Sequence, residues 1–306
     1  MKHYFWQKTI SAITTVFLVS LLTFVILQVL PGDPALLMLG TEGNPESYDR
    51  LRMELRLDEP ILKRYFIWLG QFLQGNLGVS QRYSMPISKL VGDALPLSFS
   101  LAMLAVLAAL LFSVPAGIFM ASKQDGPFTR LLALATHVGM ALPQFWLGLI
   151  LIQFFAVRLG VLPSGGSQNW TGLILPILTL AIPRVAILSR LVQTGMLEAL
   201  SQDYIRTAHA KGLPRYKVLF KHAFRNGSLA VLTVAGLQFA NLLAGTIVVE
   251  QVFSLPGLGQ LLLAGVLQRD IPLVQGIVML VVILILLFDL LFDLSLGFLD
   301  PRLRYE

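Results

Sequence analysis

The chain alternates long apolar runs with short polar breaks, and the runs have the length of membrane-crossing helices. Thr9–Leu30 holds 22 residues without a charge, about 33 Å as a helix, enough to cross a hydrocarbon core about 30 Å thick. The cluster Pro31-Gly32-Asp33-Pro34 cannot continue that helix. A cleaved signal peptide would need a shorter apolar run and a small-residue cleavage site after it, so an uncleaved first span is expected. Five further runs follow. Leu97–Ala121 carries Pro115, Leu131–Val157 carries Pro143, Leu173–Val192 carries Pro176 and Pro183, and Leu229–Val249 has no proline. The last, Leu273–Gly297, has twelve consecutive apolar residues from Ile277 to Phe288, followed by Asp289 and Asp293. The Leu, Ile, Val and Phe of that run favour insertion by roughly 5–11 kcal/mol. Two aspartates near its end oppose this by at most about 7 kcal/mol. Insertion wins, and six spans are expected.

One stretch between the first two spans breaks the pattern. Residues 33–93 carry seven Lys/Arg and eight Asp/Glu, a balanced and soluble-looking mixture. Within it Leu51, Leu55, Leu62, Phe66, Leu69 and Phe72 recur at helical spacing, with Pro60 as a break. This reads as a small extramembrane cap, either a solvated connector or a surface that meets a partner.

Composition then fixes the class. Hydrophobic residues make up 56% and charged residues 13%, and mean hydropathy is +0.74, far from a soluble globular chain. There is no cysteine, hence no disulfide framework, thiolate metal site or cysteine nucleophile. The net charge of +6 matters through its placement. Lys2, Lys8, Lys123, Arg130, the 190–228 segment and Arg302 and Arg304 contribute thirteen Lys/Arg, against Arg158 and Arg269 in the opposite short loops. By the positive-inside rule both termini and the 190–228 segment are cytoplasmic. The expected architecture is an all-α polytopic membrane protein with a first span at 1–30 and an extracytoplasmic segment at 31–96. A five-helix core at 97–297 contains the 190–228 loop, and a cytoplasmic tail occupies 298–306.

Catalytic chemistry finds little support. His3, His137, His209 and His222 do not form a metal spacing, no G-x-S-x-G occurs, and no Gly-Lys dipeptide exists for a phosphate loop. Any nucleotide used for energised work belongs to a partner, and no cofactor is expected on this chain. Candidate path-lining residues are Pro143 and the small-and-polar stripe Gln238, Asn241 and Gly245, which share a helix face; a helix–helix hydrogen bond is the alternative for that stripe. Pro115, Pro176, Pro183, Gly117, Gly139 and Gly148 also interrupt helices at membrane depth. Asp289 and Asp293 lie one turn apart, suited to a proton relay or to interfacial pairing, and Arg184 either snorkels or joins the cytoplasmic mouth.

The segment Glu198–Asn226 is the most distinctive. Between Arg190 and Arg225 it sets seven Lys/Arg against two acids. Ser201 is expected to cap a short helix beginning near Gln202, with Asp203 in its first turn and Pro214 ending it. Ile205, Ala208 and Gly212 fall on one face, small enough to seat in a partner's groove, while Arg206, Lys211, Arg215 and Lys217 can pair with an acidic rim. Anionic lipid is the competing partner.

These residues resemble the cytoplasmic loop of the permeases of binding-protein-dependent ABC importers. That family's loop carries Glu-Ala-Ala and then a Gly; here Arg206-Thr207-Ala208 and Gly212 stand at those positions, and only Ala208 and Gly212 match. Asp203–Leu213 and Lys221–Asn226 are similar to the dipeptide/oligopeptide/nickel subfamily. So are Leu22–Pro34, Gly75–Ser80, Met140–Leu149, Gly236–Gly259, Arg269–Gly276 and Phe292–Arg304. Gln193 departs from it, where many relatives have a basic residue. The resemblance implies a type I importer permease in a bacterial inner membrane, working with a second homologous permease, two cytoplasmic ATP-binding subunits and a periplasmic binding protein. It implies ATPase coupling through Asp203, Tyr204, Ile205, Arg206, Ala208, Lys211, Gly212 and Leu213. Peptides are the expected solute, with nickel, metal–chelator complexes or glutathione as alternatives. From other classes, an intramembrane enzyme or a passive channel competes; the first lacks a catalytic constellation and the second leaves a docking helix without a purpose.

Overall fold

The computed structural model describes residues 2–29, 44–54, 56–166 and 169–299. The Pro31–Pro34 break, Leu55 and the tail with Arg302 and Arg304 lie outside them. The described chain is helical apart from loops and one isolated β-bridge between Val79 and Pro86. α1 is Lys2–Val29, α2 Pro45–Glu54, α3 Ile61–Leu73 and α4 Ile87–Ser122. Pro60, immediately before α3, sits in extended conformation and separates it from α2. α4 starts ten residues before the expected run at Leu97 and carries Pro96 and Pro115 inside it.

The third run is not one helix. α5, Pro127–Ala141, and α6, Gln144–Leu151, meet at 111°. Leu142 and Pro143 are both extended there, because the residue before a proline is driven out of the α region. α6 then widens into a π-helical stretch, Ile152–Arg158. α7, Ile174–Leu200, runs eight residues past the expected Val192. α8 is Asp203–Ala210, and α9, Arg215–Lys217, passes through a π-helical stretch, Val218–Phe224, into α10, Arg225–Val252. α11, Leu258–Leu267, is a short apolar helix in what reads from sequence as a loop, and α12 is Ile271–Leu299.

Four described helices are long and apolar enough to cross a membrane, and up to six spans result if each of two bent pairs counts as one. The second bent pair lies within α10, where Val231–Leu243 and Gly245–Val252 meet at 55° without a proline.

The chain forms two compact units. One holds Pro96–Gln260 and the chain from Leu287; the other holds Lys2–Leu95 and Leu261–Leu286. In the first, α7 is central and packs on α5, α6 and α10. Missing side chains permit these approaches. A Cβ on Gly117 would strike Val192 and the Ser189 carbonyl, and Gly195 and Gly227 meet backbone to backbone, a Cβ on either lying 2.8 Å from the other's carbonyl oxygen. In the second unit, α3 packs along α1 through Phe17, Phe24, Tyr65 and Trp68.

Candidate functional site

The 190–228 segment is built around α8. Ser201 does not cap it: its hydroxyl donates to the Glu198 carbonyl at 2.7 Å and closes α7 instead. Gln202 is the N-cap, extended and without a side-chain bond to the helix. A serine whose own backbone is still helical cannot turn its hydroxyl forward onto the next helix, and Ser201 has φ −79° and ψ −12°. Asp203 stands exposed in the first turn, 3.4 Å from Arg206, favourable at the positive end of the helix. At the other end Gly212 adopts φ +71°. Its N–H donates to His209 (2.9 Å) and that of Leu213 to Ala208 (3.3 Å), the paired closure that a left-handed C′ residue provides. Gly212 thus ends α8 two residues ahead of Pro214.

The two faces of α8 are used differently from expectation. Ile205 and Ala208 are 3% and 4% exposed and belong to a core cluster with Ile118, Ala121, Met196, Ala199, Val218 and Ala223. They bind the segment to its own unit and offer nothing to a groove. An apolar pair on a helix of eight residues goes first to the nearest water-free surface, and here the π-helical stretch and the end of α7 supply it. Leu213 packs partly buried against the same cluster. The outward surface is Asp203, Tyr204, Arg206, Thr207, His209, Lys211 and Gly212. Tyr216, Lys217, Phe220 and Lys221 extend the exposed, cationic and aromatic character beyond the helix. Arg215 is partly engaged, donating to the Ser122 carbonyl at the end of α4 (2.7 Å).

The candidate path residues mark the two broken spans. Pro143, exposed, is the N-cap of α6 at the 111° break. Asn241 is exposed and Gln238 half-buried on α10, and Gly245 opens the segment after the 55° bend with free space where a Cβ would be. Gly139 and Gly148 belong to packing instead: a Cβ on Gly139 would lie 3.1 Å from Ala186, and one on Gly148 would lie 3.2 Å from Phe253. Arg184 pairs with no acid among the described residues. With the Gln144 amide turned so that its carbonyl faces the guanidinium, Gln144 accepts from both terminal nitrogens (3.1 Å to Nη2). One helical turn and a half further along α7, Arg190 reaches His137 Nε2 at 3.0 Å. Together they stitch α7 to both sides of the α5–α6 break. Asp289 and Asp293 both have interaction partners.

Two buried carboxylates were not singled out from sequence. Glu250, fully buried, accepts from the Ser98 hydroxyl (2.6 Å) and from the N–H groups of Gly259 (2.7 Å) and Gln260 (3.1 Å), while Ser98 Oγ accepts from Leu258 N–H (2.8 Å). It holds the start of α11 through donors that a helix terminus otherwise leaves unsatisfied. Asp270, 1% exposed, does the same for α12, accepting from Leu273 N–H (3.2 Å). It also accepts from the Ser80 hydroxyl (2.5 Å) and the Arg82 N–H (3.1 Å). The sequence signal was present, an acid ahead of an apolar helix, but both partner serines lie more than 150 positions away in the chain.

Two family models match. Residues 1–102 match the N-terminal region of the membrane component of binding-protein-dependent transport systems, and residues 113–305 match their inner membrane component. The chain belongs to this family. A putative peptide transport system permease protein of Brucella abortus is 39% identical over 98% of each chain. The glutathione transport system permease protein of Escherichia coli K12 is 36% identical over the full length of both. Among solved structures, an inward-facing MetNI methionine ABC transporter covers 69% of this chain and 96% of its own at a TM-score of 0.60 with 17% identity, which carries the fold. The protein is therefore an all-α inner-membrane permease subunit of an ABC importer, with the type I permease fold.

Proposed function

We propose that this permease forms half of the membrane path for di- and oligopeptides, paired with a second homologous permease. A periplasmic binding protein delivers the solute, and two cytoplasmic ATP-binding subunits grip the exposed side of α8. The observation that carries the peptide reading is end-to-end similarity to permeases named for peptide transport. What supports the coupling reading is geometry: α8 is fixed from behind by Ile205, Ala208 and the Gly212 closure, and presents Tyr204, Arg206 and Lys211 outward. A helix anchored on a rigid core transmits a push, and one on a loose loop does not. Closure of the ATP-binding subunits then moves α8 with α7 and α10, and the breaks at Pro143, between α5 and α6, and at Gly245, within α10, let parts of the spans move separately. This chain hydrolyses nothing, and both termini face the cytoplasm.

The direct test is uptake of a labelled tripeptide by proteoliposomes holding the permease with its co-purifying subunits and loaded binding protein. ATP-dependent uptake supports the reading; uptake of nickel–chelator complexes but no peptide overturns its substrate half. Glutathione is the second reading, favoured by the E. coli relative, and competes as unlabelled solute in the same assay. Recovery of the permease alone from mild detergent would overturn the assembly.

A further inference from the structure

Between α1 and α4 the sequence reads as an extramembrane cap, either a solvated connector or a partner surface, yet α3 packs one side along α1. Its Tyr65 hydroxyl meets Ser20 Oγ at 2.8 Å, and both residues are buried. Ser20 donates to the Phe17 carbonyl (2.7 Å), so Tyr65 is the donor in this pair. Tyr65 also packs edge-on to Phe17 (6.4 Å between centroids) and Phe24 (5.4 Å), and Trp68 lies 5.8 Å from Phe24. These partners sit inside a membrane span. The apolar stretch of α1 is Trp6–Leu27, so Ser20, seven residues before its end, lies about 10 Å in from that end at 1.5 Å per residue.

The rest of α3 fits the same depth. Its Tyr65, Trp68 and Phe72 side faces α1. Next to it runs a second apolar stripe, Leu62, Phe66, Leu69 and Leu73, at the i, i+4, i+7, i+11 spacing of one helix face. Leu62, Phe66 and Leu73 are 68%, 62% and 76% exposed. Lys63 and Gln71 lie on the far side, and Lys63 pairs with Glu59 at 3.2 Å. Half of a wide apolar face is thus covered by α1 and half is bare. In water the bare half would be unfavourable by about 25 cal/mol per Å², whereas beside the outer end of a span it meets acyl chains.

We propose that α3 is an interfacial membrane helix, laid against the outer half of α1 with Leu62, Phe66, Leu69 and Leu73 in contact with lipid. It makes the segment after the first span a membrane-seated element, and it carries the loop that follows. That loop includes Ser80, which Asp270 holds, so lipid contact and the Asp270 latch fix the loop from both ends.

The chain has no cysteine, so single cysteines can be introduced without removing any. Leu62→Cys, Phe66→Cys and Leu73→Cys would be spin-labelled in the assembled transporter in lipid nanodiscs, beside Asp49→Cys on α2 and Asn76→Cys after α3. The expected result is at least a fivefold higher ratio of oxygen to aqueous nickel-complex collision at positions 62, 66 and 73 than at 49. Equal ratios at all positions overturn the proposal and restore a solvated cap. Low collision with both reagents at 62, 66 and 73 also overturns it, because the stripe is then covered by protein. The readout is depth, not transport, so it stands or falls separately from the substrate and coupling readings.

Discussion

α3 and α8 are both short amphipathic helices outside the long spans, and both bury one side on their own unit. They differ in what the other side shows. α3 leaves leucine and phenylalanine bare, whereas α8 leaves a tyrosine, an arginine, a lysine and a histidine. The anchoring differs in the same sense. α3 is held by aromatic rings and one hydroxyl pair within the depth of a span. α8 is held by Ile205 and Ala208 and closed by a glycine. Burial on the inner side reports only that a helix is attached. The chemistry of the outer side reports to what it is addressed, which we propose is lipid in one case and a soluble subunit in the other.

The largest effect should come from the inner sides. Ile205→Asp puts a carboxylate without a partner into the Met196–Ala199–Val218 cluster. It should destabilise that end of the permease by more than about 4 kcal/mol, the range for a buried unpaired group added to a lost core side chain. The check is the melting temperature and yield of the purified assembly. Tyr65→Ala removes the ring that holds α3 and should cost about 3–5 kcal/mol locally, read as faster proteolysis within α3 with α8 unaffected. If Ile205→Asp folded normally, the inner and outer faces of α8 would have to be exchanged.

On the outer side of α8, Arg206→Glu combined with Tyr204→Ala should leave melting within about 0.5 kcal/mol of the parent, as for exposed positions. Loss of those two contacts should still lower recovery of the ATP-binding subunits at least tenfold. Two outer positions of a central interface patch account for that much when they act as anchors. Retained recovery would move the docking surface to Tyr216 and Phe220.

How much of this contrast was legible in the sequence follows from how local each signal is. The apolar runs, the Pro60 break and the start of α8 near Gln202 are set by neighbours within a turn or two, and each was readable. The end of α8 was expected at Pro214, whereas Gly212 closes it. The face of α8 was not: Ile205, Ala208 and Gly212 do align, but alignment does not say whether the chain's own core or a partner lies opposite. What α3 lies against in the cap was closed to the sequence for the same reason. The helical spacing of Leu62, Phe66, Leu69 and Phe72 was readable, but not that Tyr65 and Trp68 beside it pack on α1. Glu250 and Asp270 were passed over in favour of Asp289 and Asp293 because the serines that define them, Ser98 and Ser80, are distant in sequence. The bend in α10 had no proline to announce it.

Gly212 gives the finest test of the two roles. At φ +71° with open space around its Cα, an alanine meets no atom and suffers only the left-handed backbone penalty of about 1–2 kcal/mol. If Gly212 serves only to close α8, Gly212→Ala should lower stability by about that amount, and Gly212→Asn, whose side chain tolerates this conformation, should restore most of it together with uptake. If the bare backbone at Gly212 instead lies against the ATP-binding subunit, Asn will recover melting but not transport. Measuring both on the same pair of variants separates a turn residue from a contact residue, and the Gly212–His209 and Leu213–Ala208 closure bonds favour the turn.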